Sequence, residues 1–181
     1  MPDLALMSYS HLDPKMLDKA LHSPNAKEWQ EALQYEICQL EKLETWVVED
    51  LPQGQTATPC SEVTRVKQGP TSKIQSYRVR IVAGGHKQVE GVNYTEIFSA
   101  AAKMPTVWVV LANAAHQNWE IKHIDIKSAY LNTELNEVIY IEPPRGMLKQ
   151  GQEGKVLRLL KGLYSLKQVG RGWYKEMVVS S

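Results

Sequence analysis

The apolar residues of this chain change period along its length, which restricts the fold to one that mixes helices with strands. Trp29, Leu33, Ile37 and Leu40 recur at helical spacing, with Ala32 and Leu43 widening the stripe, so this stretch is an amphipathic helix that needs a surface to cover it. Ahead of it, Asn25 stands as an N-cap and Glu28 falls at the capping-box position. Farther on, Tyr77, Val79, Ile81 and Ala83 alternate with Arg78, Arg80 and Val82, the period of a strand with one buried face. Glu62 to Val66 reads as its partner strand and Gly69-Pro70-Thr71-Ser72 as the turn between them, giving a hairpin with its arginines on one face. Further short strands are expected at Thr45 to Leu51, Glu120 to Ile126, Val138 to Ile141 and Val156 to Leu160. Helices are expected from Pro105, with Val107, Val110, Leu111 and Ala114 facing inward, and over Gln168 to Val179. The pattern is α+β, a mixed or antiparallel sheet with flanking helices, and it has no regular βαβ units. Residues 1–22 show no sustained period and are expected to be poorly ordered, leaving 23–181 as one domain.

Composition narrows the partners. The formal net charge of +1 advertises no overall field for nucleic acid or membrane, so any basic surface must be local. Cys38 and Cys60 have no CxxC or Cys/His spacing, which argues against a disulfide scaffold or a zinc site. No apolar run reaches membrane-spanning length, and the start of the chain lacks the apolar core of a secretion signal. An intracellular chain without a membrane partner is the expectation.

The stretch His123-Ile124-Asp125-Ile126-Lys127-Ser128-Ala129-Tyr130-Leu131-Asn132 concentrates the chemistry. Asp125 alternates away from Ile124 and Ile126, and a carboxylate at a strand end suits a hard cation such as Mg²⁺. Taken alone, an aspartate at such a place is more commonly a solvated residue or a cap. Arg78 reads equally well as the wet face of an edge hairpin, Arg80 less so. His86 and His123 lack a second ligand at metal spacing, and Gly84-Gly85 lacks the Lys-Ser/Thr of a phosphate loop.

Set in order, Trp29…Glu36…Leu40-Glu41…Thr45-Trp46…Leu51-Pro52, Tyr77-Arg78-Val79-Arg80-Ile81-Val82-Ala83-Gly84-Gly85…Gln88…Gly91-Val92-Asn93-Tyr94…Phe98-Ser99, His123-Ile124-Asp125…Ala129-Tyr130-Leu131-Asn132, Ile139-Tyr140…Pro143-Pro144…Gly146 and Leu163-Tyr164-Ser165-Leu166-Lys167-Gln168…Arg171-Gly172-Trp173-Tyr174 resemble the reverse transcriptase of Ty1/copia-type LTR retrotransposons. The resemblance implies an RNA-directed DNA polymerase with fingers at about 45–105 and part of a palm at about 106–181, both belonging to a right-hand fold. It implies primer–template and dNTPs as partners and Mg²⁺ as cofactor, with chemistry by two-metal phosphoryl transfer. The remaining palm and the RNase H portion of the polyprotein are further implied partners, and the setting is the cytoplasm, within a virus-like particle, or the nucleus.

By the same resemblance, Asp125 matches the first metal-binding aspartate and Ile126 the residue whose backbone carbonyl faces the metal. Tyr130 matches the aromatic that excludes a 2′-hydroxyl, and Arg80 the guanidinium offered to the triphosphate. Lys73, Arg78 and Lys67 are weaker candidates for phosphate or template. Leu163 to Gln168 matches the segment against the nascent base pair and template, with Tyr164, Lys167 and Gln168 as its contacts.

The departures carry equal weight. The pattern requires two adjacent aspartates on a downstream hairpin, and the chain contains no Asp-Asp pair. That hairpin is expected beyond Ser181, so isolated catalysis is not expected. Glu62 stands where the pattern wants tryptophan, Val79 where it wants alanine, Trp108 where it wants arginine and Ser165 where it wants glycine. At the last of these, a positive φ or a close backbone approach would strain a serine.

Overall fold

A computed structural model describes residues 16–69, 73–99, 102–148 and 150–179. The elements run α1 (Leu17–Leu21), α2 (Ala26–Lys42), β1 (Trp46–Glu49), β2 (Ala57–Thr58), β3 (Cys60–Gln68), β4 (Ile74–Ala83), α3 (Met104–Gln117), α4 (Ala129–Asn132), β5 (Tyr140–Ile141), β6 (Val156–Leu159) and α5 (Val169–Val179). A 3₁₀ turn, Gly85–Lys87, follows β4. The strands form a mixed sheet in the order β1-β6-β5-β2 and a separate antiparallel hairpin, β3-β4.

The two sequence periods resolve into one packed unit. Trp29, Leu33, Ile37 and Leu40 are the buried residues of α2, and the Trp29 ring meets the edge of Tyr77 on β4 at 4.8 Å. Alternation along β4 places Val79, Ile81 and Ala83 in the same core as that helix. Ile139, Ile141, Leu157 and Leu159 continue it under the mixed sheet, and Leu163, Leu166 and Val169 join it from the segment leading into α5. Burial of this apolar surface is the main favourable contribution to the fold.

Several expectations need correction. Part of the segment expected to be poorly ordered takes helical form as α1, with Leu17 and Ala20 buried; residues 1–15 lie outside the described ones, as do 70–72 of the expected hairpin turn. Asn25 holds the N-cap position of α2 without a side-chain cap. Instead its own N–H donates to the Ser23 hydroxyl at 3.3 Å. The strand expected at Glu120 to Ile126 is not formed: residues 120–126 are exposed and irregular. A strand exists only through a ladder, and among the described residues no neighbouring strand takes these main-chain groups. For the same reason the strand expected from Val138 shortens to Tyr140–Ile141. Of the stripe predicted on α3, only Ala114 is buried.

Candidate nucleic-acid and nucleotide interface

The β3-β4 ladder decides which side chains share a face. Its register places Arg65 opposite Arg78, Val63 opposite Arg80 and Lys67 opposite Ser76. The other set, Thr64, Val66, Val79 and Ile81, is buried. The outward face therefore carries Arg65, Lys67, Arg78 and Arg80 and no carboxylate between Val63 and Arg80. Like charges directly opposite one another are destabilising in a sheet. The ladder and the buried face hold them together regardless, producing a strip of positive potential on a molecule of almost no net charge.

Arg80 is positioned further by the segment ahead of α5. Ala83 donates its N–H to the Tyr164 carbonyl at 2.9 Å, which extends the edge of β4 by a parallel bridge between Val82 and Tyr164. The Tyr164 ring then lies beneath the Arg80 guanidinium, with Cζ 5.5 Å from the ring centroid. Arg80 Nε is buried without a hydrogen-bond partner among the described residues. This leaves the guanidinium oriented by stacking with a donor still to be satisfied.

The close approach of that segment explains the Gly84-Gly85 pair. A Cβ on Gly85 would collide with the Ser165 carbonyl, and one on Gly84 would come within 2.8 Å of the Pro59 carbonyl. Ser165 itself has φ 70°, the left-handed region that the glycine of the family pattern would occupy without strain. Lys167 and Gln168 turn inward. Lys167 Nζ donates to the Gln88 carbonyl and to the Tyr94 hydroxyl, both at 3.3 Å, and lies 4.7 Å from the Tyr94 ring centroid. Gln88 is buried; its Oε1 accepts the Lys167 N–H at 2.9 Å and its Nε2 donates to Gln168 Oε1 at 3.0 Å. Gln168 Nε2 in turn donates to the Asn93 carbonyl at 2.9 Å. These groups clasp the loop after β4 to the segment, so the Lys167 ammonium is engaged within the protein.

The remaining candidates are not gathered in the same way. Asp125 and Ile126 are exposed in the irregular stretch, and no hydrogen bond or ion pair joins Asp125 to the hairpin among the described residues. Tyr130 sits in α4 at 47% exposure, and its carbonyl faces Gly162 so closely that a Cβ there would clash. Lys73 is exposed just before β4. Among the described residues no group of three or more His, Cys, Asp and Glu side chains could hold a metal ion. The donor set does not fit the two-ion site that the resemblance implies. Cys60 offers no alternative: burial, with help from Glu62 and Glu142, pushes its thiol up to about 12, so the thiolate needed for metal binding is absent near neutrality.

Two residues of the site escaped sequence reasoning as to role. Gln88 shows no signal beyond its place after the glycine pair. Glu36, on the flank of the α2 stripe, was legible as a charged residue three positions after Leu33. Burial raises its carboxyl above the ordinary glutamate range, opposed by a main-chain hydrogen bond from Ile81 and by the charges of Arg78 and Arg80. Of the other departures, Glu62 accepts the Arg145 N–H at 3.2 Å, Val79 is buried and Trp108 is 63% exposed.

A family profile described as "Reverse transcriptase (RNA-dependent DNA polymerase)" matches residues 43–180, which takes in the mixed sheet, the hairpin and the Tyr164 segment. The chain belongs to this reverse transcriptase family. It is 35% identical over 162 residues to the retrovirus-related Pol polyprotein from transposon TNT 1-94 of Nicotiana tabacum, a match covering 90% of this chain and 12% of that protein. To the Pol polyprotein from transposon RE1 of Arabidopsis thaliana it is 30% identical over 175 residues, covering 96% of this chain and 12% of the relative. A truncated transposon Ty1-A Gag-Pol polyprotein of Saccharomyces cerevisiae is 30% identical over 145 residues, with 80% and 12% covered. No solved structure matches. The chain thus corresponds to the reverse transcriptase part of retrotransposon polyproteins and spans about an eighth of their length.

Proposed function

We propose that this chain is the template- and nucleotide-gripping part of a retrotransposon RNA-directed DNA polymerase, and that it does not polymerise by itself. One observation carries the reading: the hairpin face on which Arg65, Lys67, Arg78 and Arg80 are held together, with Arg80 stacked on Tyr164. Four cations at ladder spacing follow a phosphate backbone, and a guanidinium fixed by an aromatic ring loses little entropy on meeting a phosphate. In the parent enzyme this face lies in the fingers, Arg80 meets the incoming triphosphate, and the surface of the Tyr164 segment meets the template. Lys167 and Gln168 serve the template by positioning that segment, since their side chains bond to Gln88, Tyr94 and Asn93.

Asp125 is the carboxylate this chain contributes to catalysis, with Ile126 beside it and Tyr130 as the sugar-discriminating ring. Bound Mg²⁺ would supply activation of the primer hydroxyl and neutralisation of pyrophosphate. A single exposed aspartate does not hold two ions, so no step of phosphoryl transfer is assigned to these residues. The paired aspartates of the family pattern are not among the residues of this chain.

Fluorescence anisotropy with a labelled single-stranded oligonucleotide tests the reading. Binding is expected to weaken with salt at a log–log slope of about −2 to −3, as for three or four neutralised phosphates. Replacing both Arg78 and Arg80 with Gln should reduce the slope by about 1 to 1.5. Salt-independent binding, or binding that ignores both substitutions, would refute the assignment. In a longer polypeptide that adds the paired aspartates, Asp125→Asn should abolish primer extension and leave template binding intact. Tyr130→Ala should there admit ribonucleotides more readily.

A further inference from the structure

Glu36 stands at the edge of β4, where the buried face of the hairpin gives way to the arginine face. Ala83 sends its N–H outward from that edge to Tyr164, and Ile81, two residues earlier, donates its N–H to the Glu36 carboxylate. The α2 stripe of Trp29, Leu33 and Ile37 seals the buried side. The carboxylate is confined between the two, with Oε1 buried and unpartnered among the described residues. Arg78 lines the groove on its open side. A confined carboxylate that accepts one main-chain hydrogen bond depends on the positive charges beside it for the rest of its compensation. Those are Arg78 and Arg80, the two residues proposed above to meet phosphate.

The other charged groups around Glu36 leave that pair in control. Lys67 of β3 and Glu28 and Glu31 of α2 line the outer part of the same groove, with Tyr35 and Tyr77 completing its wall. All three charged residues are exposed, so water and salt screen them. On α1, which also packs against α2, Asp18 is turned to Arg145. His22 Nδ1 lies 2.7 Å from the Asp18 carbonyl, and Lys19 is exposed.

We propose that Glu36 is a positioning residue for the grip of the hairpin on phosphate, and that seating a phosphate on Arg78 and Arg80 loads a proton onto its carboxyl; this rests on the proposed nucleic-acid role of that face. Without a ligand, the two guanidinium charges favour the carboxylate and burial opposes it. A bound phosphate neutralises the guanidinium charges and brings negative charge of its own. The balance then tips to burial, and the carboxyl takes one proton from solvent. A ligand whose binding takes up a proton is held more tightly as pH falls. Charged, Glu36 draws the guanidinium groups toward the strand edge; protonated, it releases them to the phosphate.

Calorimetric titration of the full chain with a single-stranded oligonucleotide, in two buffers of different ionisation enthalpy, counts the protons taken up on binding. The wild-type chain should take up a fraction of one proton, and its affinity should fall about fivefold from about pH 5.5 to about pH 8, the lower end of common coupling strengths. Glu36→Gln should lose this dependence and bind more tightly than wild type at the upper end of the range. Taking the difference between the two chains removes the contribution of His86, exposed just after β4. Glu31→Gln, which deletes an exposed carboxylate from the same groove, should leave the proton count unchanged. Carboxyl titration by carbon NMR needs no oligonucleotide: in Arg78→Gln/Arg80→Gln the Glu36 signal should titrate at higher pH than in wild type. An unmoved Glu36 titration, or oligonucleotide binding with the same proton count in wild type and Glu36→Gln, would each overturn the inference while leaving the nucleic-acid face in place. Absence of oligonucleotide binding at every pH would remove both.

Discussion

At Ser165 a φ of 70° holds a side-chain-bearing residue in the left-handed region while its carbonyl presses on Gly85. Glycine is free of the Cβ clash responsible for that penalty, so Ser165→Gly should stabilise the chain by about 1 kcal/mol in urea denaturation. Part of the gain is offset by the greater freedom of glycine in the unfolded chain. A neutral or destabilising result would mean that the Ser165 side chain makes a compensating contact. Glu36 yields a second prediction, of opposite character. Burial raises its carboxyl in the folded state, so the native chain holds this proton to higher pH than the unfolded chain does. Its contribution is therefore most favourable at acid pH and is lost as pH rises from the ordinary glutamate value through the raised one. Glu36→Gln should remove that decline and stabilise the protein at neutral pH, read as melting temperature against pH. A parallel pH profile in the variant would show that another group is responsible.

Among the elements, α3 stands apart from the rest. It has 14 residues, carries no charged side chain and buries only Ala114, while Trp108, Val109 and Val110 remain more than half exposed. An isolated helix of this length is marginal in water, and its valines do not favour it. Polar substitution there costs little because nothing is lost: Trp108→Gln should change stability by no more than about 0.5 kcal/mol. By contrast Leu157, fully buried in β6, should cost about 2–5 kcal/mol on replacement by Ala. Equal costs at the two sites would indicate that α3 is covered in solution. The hairpin β3-β4 is the opposite case, with one face fixed in the core by Val79 and Ile81. That anchoring is what allows Arg65 and Arg78 to remain opposite each other.

For the molecule as a whole, the basic hairpin face and the exposed Asp125 stretch are separate features, and the expected activity follows from that separation. Primer extension by this chain alone, with Mg²⁺ or Mn²⁺, is expected to be undetectable; template-dependent incorporation would overturn the proposed need for further carboxylates. The amphipathic period of α2, the alternation of β4 and the charged face of the hairpin were legible in the sequence, because each depends on neighbours a few residues apart. The family pattern was legible too, and with it the strain at Ser165. Whether Glu120 to Ile126 becomes a strand was not, since alternation provides a face but only a neighbouring strand provides the ladder. The same holds for Lys167, Gln88 and Glu36. Their roles are set by contacts across long sequence separations, where packing brings one segment against another and no local period records which groups will meet.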